Sequence, residues 1–77
     1  MAKRQRKMVD GVLCRDPSGL ILFFHYAARE EMYRDRWGYW CGNWGSRKKL
    51  WWLREWKAEY DLPAPRRGRA FEVSIEL

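Results

Sequence analysis

A single tetrapeptide limits what this chain can fold into. Asp16-Pro17-Ser18-Gly19 stands between two apolar segments, Val9 to Cys14 and Leu20 to Tyr26. Aspartate suits the first position of a type I turn, proline pre-sets φ at the second, and glycine supplies the left-handed residue that closes a bulged hairpin. The two segments are therefore expected to be strands that fold back on each other. Leu20 to Tyr26 is apolar on both faces, as in a central strand covered on at least one side. At the far end, Phe71, Val73, Ile75 and Leu77 alternate with Glu72, Ser74 and Glu76. A period of two marks a half-buried strand with one solvated face. An isolated hairpin is marginal in water, so this strand is expected to join it in a small antiparallel sheet.

Two helices are expected to pack on that sheet. Ala27 to Arg36 is rich in helix formers and reads as a short helix, 27–36. Ser46 to Tyr60 reads as a long amphipathic helix, 46–60. Ser46 is a good N-cap, and Leu50, Trp52, Leu53, Trp56 and Tyr60 fall on one side at about 100° per residue. Pro63 and Pro65 stop it. Between the helices lies Trp37-Gly38-Tyr39-Trp40-Cys41-Gly42-Asn43-Trp44-Gly45. Its three glycines argue against a helix and suit a short strand or an ordered aromatic loop. The fold class is thus α+β, with one compact domain over 8–77 after a flexible basic arm, 1–7.

Composition bears on function. A chain of 77 residues buries about 60–65% of the surface its unfolded form exposes. Six Trp, four Tyr and three Phe exceed what one small core needs, so some are expected at a contact surface. The net charge of +6 draws the chain to phosphate backbones or acidic protein patches. The longest apolar run, Leu20 to Phe24, is far short of the ~20 residues of a spanning helix. No apolar stretch follows the basic N-terminus, so a cytoplasmic protein without a membrane partner is expected. In a reducing compartment Cys14 and Cys41 are free thiols; in an oxidised sample a disulfide between them, within or between chains, is possible.

Three groups of residues are candidates for binding a partner. Trp51 lies off the apolar stripe of the expected helix, with Arg47 at i−4, Arg54 at i+3 and Lys48 close by. An indole among guanidinium groups suits base stacking or a protein hot spot; packing as a second core is the alternative. In the aromatic loop, Trp37, Tyr39, Trp40 and Trp44 follow Arg34 and Arg36. Interleaved rings and arginines can stack bases while tracking a backbone, or else form a small aromatic core. Basic clusters occur at Lys3, Arg4, Arg6 and Lys7, at Arg47, Lys48 and Lys49, and at Arg66, Arg67 and Arg69. Each is an ordinary solvated face unless the clusters converge in space. Cys14, His25 and Cys41 match no common zinc spacing, and no P-loop, GxSxG or HExxH is present. No catalytic residue, metal or cofactor is expected, and His25 reads as a satisfied core or rim histidine.

In size, single α+β domain, lack of catalytic motif and surplus of aromatics, the profile resembles the small anti-defence proteins of bacteriophages and mobile elements, anti-CRISPR proteins among them. The resemblance implies a non-enzymatic inhibitor that docks on a nucleic-acid-processing complex through an aromatic and basic surface. It carries over no individual residue. Many such proteins are acidic DNA mimics, and the basic balance here points away from mimicry. The alternatives are a module that binds nucleic acid directly and a structural homodimer.

Overall fold

The computed structural model of the protein describes residues 7–42 and 47–77. The hairpin forms as expected. β1 (Met8–Arg15) pairs antiparallel with β2 (Ile21–His25), with Arg15 opposite Ile21 and Gly11 opposite His25. Gly19 takes φ +95° and donates its N–H to the Asp16 carbonyl, while Asp16 N–H donates to Leu20. The C-terminal segment pairs with the other edge of β1, as the strand Ala70–Glu76.

Both helix expectations need correction. Residues 27–36 do not form a helix. Only a 3-10 turn appears, Arg29–Glu31, followed by the two-residue strand β3 (Tyr33–Arg34). β3 pairs with β4 (Trp40–Cys41) across a turn in which Asp35 accepts the N–H groups of Trp37 and Tyr39, each at 2.9 Å. Gly38 takes φ +89° in that turn. Turn chemistry at Asp35 and Gly38 thus outweighs the modest helix propensity of the preceding residues.

The long helix 46–60 is also replaced. Its proposed cap Ser46 lies outside the described residues. Lys48–Trp51 is a strand, β5, paired with the open edge of β2. The helix α1 spans only Leu53–Glu59. It starts where Glu55 accepts the N–H of Trp52 at 2.9 Å and ends where Tyr60 N–H bonds back to Trp56. Edge pairing with β2 satisfies the backbone groups of Lys48–Trp51 and buries Trp51 against Trp56 of α1.

The main sheet runs β5-β2-β1-β6, where β6 is Ala70–Glu76. A core cluster lies on each face. On one, Val9, Leu13, Ile21, Phe23, Trp51 and Ile75 pack against Trp56 of α1. Trp56 is fully enclosed and its indole donates to the Leu62 carbonyl at 2.8 Å. On the other, Val12, Cys14, Leu22 and Phe24 meet Ala27, Met32 and Trp40 from the β3–β4 lobe. The molecule is therefore helix on sheet on hairpin, and both faces of β2 are covered, which accounts for its unbroken apolar run.

Candidate anion-binding interface

Three separated segments meet at one end of the sheet: the turn 16–19, the turn 35–39 and the loop 66–69. Arg15 staples the first to the last. Its Nε donates to the Gly19 carbonyl at 3.1 Å and its Nη1 reaches the Pro65 carbonyl at 3.5 Å. Its backbone carbonyl accepts from Gly68, and its N–H donates to Arg69. Asp16 joins the first turn to the hairpin lobe by accepting Trp40 N–H at 3.1 Å. Pro17 packs over Gly38, and the Arg34 guanidinium lies so close over Gly68 that a Cβ there would stand 3.3 Å from Nη1. A Cβ at Gly19 would stand equally close to the Arg67 guanidinium, at 3.3 Å.

These segments bring Arg15, Arg34, Arg36, Arg66, Arg67 and Arg69 together with only two carboxylates, Asp16 and Asp35. Each carboxylate spends an oxygen on backbone N–H groups of the hairpin. Asp16 is buried, and desolvation raises its pKa above the ordinary value, partly offset by the Trp40 N–H bond. Arg34, Arg36, Arg66, Arg67 and Arg69 are all exposed. Trp37 is 68% exposed, with the Arg36 guanidinium 5.2 Å from its ring centre. Tyr33 and Tyr39 are exposed nearby. Trp40 is the buried counterpart, at 8% exposure. Two guanidiniums lie over its ring, Arg29 at 4.8 Å and Arg34 at 5.8 Å.

Of the candidates read from the sequence, Arg36, Arg66, Arg67 and Arg69 lie at this end of the sheet, whereas the group centred on Trp51 is not brought together. Trp51 is 3% exposed and belongs to the core. Its assignment as an anchor flanked by Arg47 and Arg54 rested on a continuous helix that does not exist. Arg47 precedes an edge strand, whereas Arg54 lies on α1 and is exposed. Lys48 points to the hairpin face of the sheet, its Nζ 5.7 Å from the Phe24 ring centre. Trp40 is enclosed rather than presented, and Trp44 lies outside the described residues. Of the basic clusters, the loop Arg66, Arg67, Arg69 meets Arg34, whose guanidinium lies over Gly68. The arm 1–7 lies outside the described residues except for Lys7, whose backbone pairs with Leu77. Trp52, 55% exposed, and Arg29 were missed as surface groups. A helix-period reading turned Trp52 inward, and the Arg29–Trp40 stack exists only through the hairpin.

The cysteines stay apart chemically. Cys14 and Cys41 are both free thiols in this structure. Cys14 is sealed in the core, where burial pushes its pKa up to about 12. His25 sits at the rim, and its Nε2 is enclosed without a hydrogen-bond partner, contrary to the satisfied histidine expected. Burial and the neighbouring Arg47 and Lys49 charges lower its pKa. Among the described residues no group of three His, Cys, Asp or Glu side chains is placed to hold a metal ion. No helix among them is long and apolar enough to cross a membrane.

Compared with known proteins, the chain matches no family, and no similar curated protein or solved structure was found.

Proposed function

We propose that the protein is a non-enzymatic module that binds single-stranded nucleic acid through the arginine-rich end of its sheet. One observation carries this reading. Turns distant in sequence meet at one end of the sheet: the Arg34 guanidinium lies over Gly68 of the loop that carries Arg66, Arg67 and Arg69, and in the adjoining turn Arg36 lies over the exposed ring of Trp37. Guanidiniums neutralise phosphates, and a solvent-facing indole offers a stacking platform for an unpaired base. A duplex-reading mode is less suited. The only helix among the described residues has seven residues and packs on the opposite face of the sheet, whereas major-groove readers present a longer free helix. Blocking a bacterial immune complex, the role suggested by the overall profile, is one use to which such a face can be put.

The test is fluorescence anisotropy with labelled oligothymidylate between about 50 and 300 mM salt. Five phosphate contacts correspond to a log–log slope of about −3.5, at about 0.7 per contact for a single strand. Replacing Arg66, Arg67 and Arg69 together by alanine is expected to lower the slope by about 2. No binding at 50 mM salt overturns the proposal, as does a triple variant that binds with the parental slope. Tight binding that appears only with a protein complex present would assign the face to a protein partner instead.

A further inference from the structure

Among the described residues of the hairpin lobe, the indole of Trp40 is the buried side-chain donor without an acceptor. Its ring is 8% exposed, and its Nε1 is buried with no hydrogen-bond partner. A buried N–H left unpaired costs about 1–3 kcal/mol, so its persistence calls for a cause. The groups around it are donors as well. The Arg29 and Arg34 guanidiniums lie 4.8 and 5.8 Å from the ring centre. The nearby carboxylates are engaged elsewhere: Asp16 accepts the backbone N–H of Trp40, and Glu72 accepts the backbone N–H of Arg29. Two cations share one ring, and the enclosed N–H beside them lacks a lone pair.

We infer that Trp40, Arg29 and Arg34 form a phosphate-binding pocket, in which an oxyanion takes the indole N–H and bridges the two guanidiniums. Both arginines are exposed residues with long flexible arms. An oxyanion at the indole N–H gains charge-assisted hydrogen bonds from both guanidiniums, which exchange their contacts with the ring for ion pairs. This rests on the proposed nucleic-acid reading, since Arg34 also packs over Gly68 in the arginine-rich end. It adds to it a defined phosphate seat inside a broader electrostatic face.

The experiment follows the indole ¹H–¹⁵N cross-peaks by NMR while inorganic phosphate, oligothymidylate and 5′-phosphorylated oligothymidylate are added in turn at constant ionic strength. Inorganic phosphate is expected to move the Trp40 cross-peak downfield with saturation, whereas chloride leaves it in place. The oligonucleotides do so at lower concentration; a preference for the 5′-phosphorylated strand assigns the seat to a terminal phosphate, and equal affinity assigns it to an internal one. Arg29→Met and Arg34→Met should each weaken phosphate binding about fivefold or more. Trp40→Phe keeps the ring and removes the donor, and should bind at least fivefold more weakly while retaining a folded spectrum. A Trp40 cross-peak that stays fixed under saturating phosphate overturns the pocket. If the oligonucleotide still binds with a steep salt slope, the broader reading stands without it; if it does not bind at all, both fall.

Discussion

The indole N–H of Trp51 donates to a carboxylate oxygen of Glu59 at 3.0 Å, tying the edge strand β5 to the last turn of α1. The same ring stands edge-on to Trp56 and Tyr60, with centroids 5.0 and 5.6 Å away. Tyr60 in turn stacks on Trp56 at 4.4 Å and donates its hydroxyl to the Glu76 carbonyl at 2.6 Å. Three aromatic rings thus join the helix to both edges of the sheet.

Substitutions at Trp51 and Trp37 should therefore separate stability from binding. Trp51→Ala empties a buried aromatic site, and a loss of about 3–5 kcal/mol is expected from urea unfolding. Trp37→Ala removes an exposed ring and should leave the unfolding free energy within about 0.5 kcal/mol. It should weaken oligothymidylate binding by about 1–3 kcal/mol. A Trp37 variant that binds like the parent would remove the stacking platform from the proposed interface.

Asp16 is expected to act as a buried acceptor whose charge is a burden. Asp16→Ala leaves the buried Trp40 N–H unpaired and should cost about 1–3 kcal/mol. Asp16→Asn keeps an acceptor oxygen and drops the charge. Desolvation raises the folded-state pKa above the ordinary 3.8, so the native state holds this proton more tightly than the unfolded chain. Native stability from this group is then greatest at low pH and is lost as pH rises through the window above 3.8. The Asn variant should gain on the parent between pH 4 and pH 7, as read from urea midpoints at both. A gap that narrows with rising pH would contradict the burial of an ionised Asp16.

The two thiols should label at very different rates. With a pKa of about 12, the Cys14 thiolate fraction at pH 8 is on the order of 10⁻⁴, and the side chain is enclosed. Cys41 is partly exposed, its thiol 3.7 Å from the Tyr39 carbonyl. Iodoacetamide on the native protein should add one label, located at Cys41 by mass spectrometry, and a second only after denaturation. Equal labelling of both in the native state would place Cys14 outside the core.

How far the fold was readable depends on how local each signal is. The hairpin was legible because Asp16, Pro17 and Gly19 specify a turn by their own φ preferences and hydrogen bonding. The C-terminal strand was legible because its alternation matches the pleat. Lys48 to Trp51 was not, since Lys-Lys-Leu-Trp lacks the alternation that marks a strand and continues the helical stripe of the residues after it. The deciding term was the open edge of β2, a partner more than twenty residues upstream. Tyr33 to Arg36 was misread as helix for a related reason: the strand Tyr33–Arg34 is two residues long, and its pairing with Trp40–Cys41 is held by the Asp35 side chain inside the turn.

By itself, the order of residues settled the central hairpin, the solvated face of the last strand and the excess of positive charge, all of which follow from nearest neighbours and simple counting. Only the tertiary structure decided which indoles are enclosed and which face water, and which arginines meet. Those outcomes depend on burial against remote segments: β5 seals Trp51 against α1, and the hairpin lobe closes Trp40 over the sheet while three turns gather the guanidiniums at one end. Packing energy is set by all the surfaces brought into contact at once, and a period read along one stretch of chain contains no term for the surface it will meet.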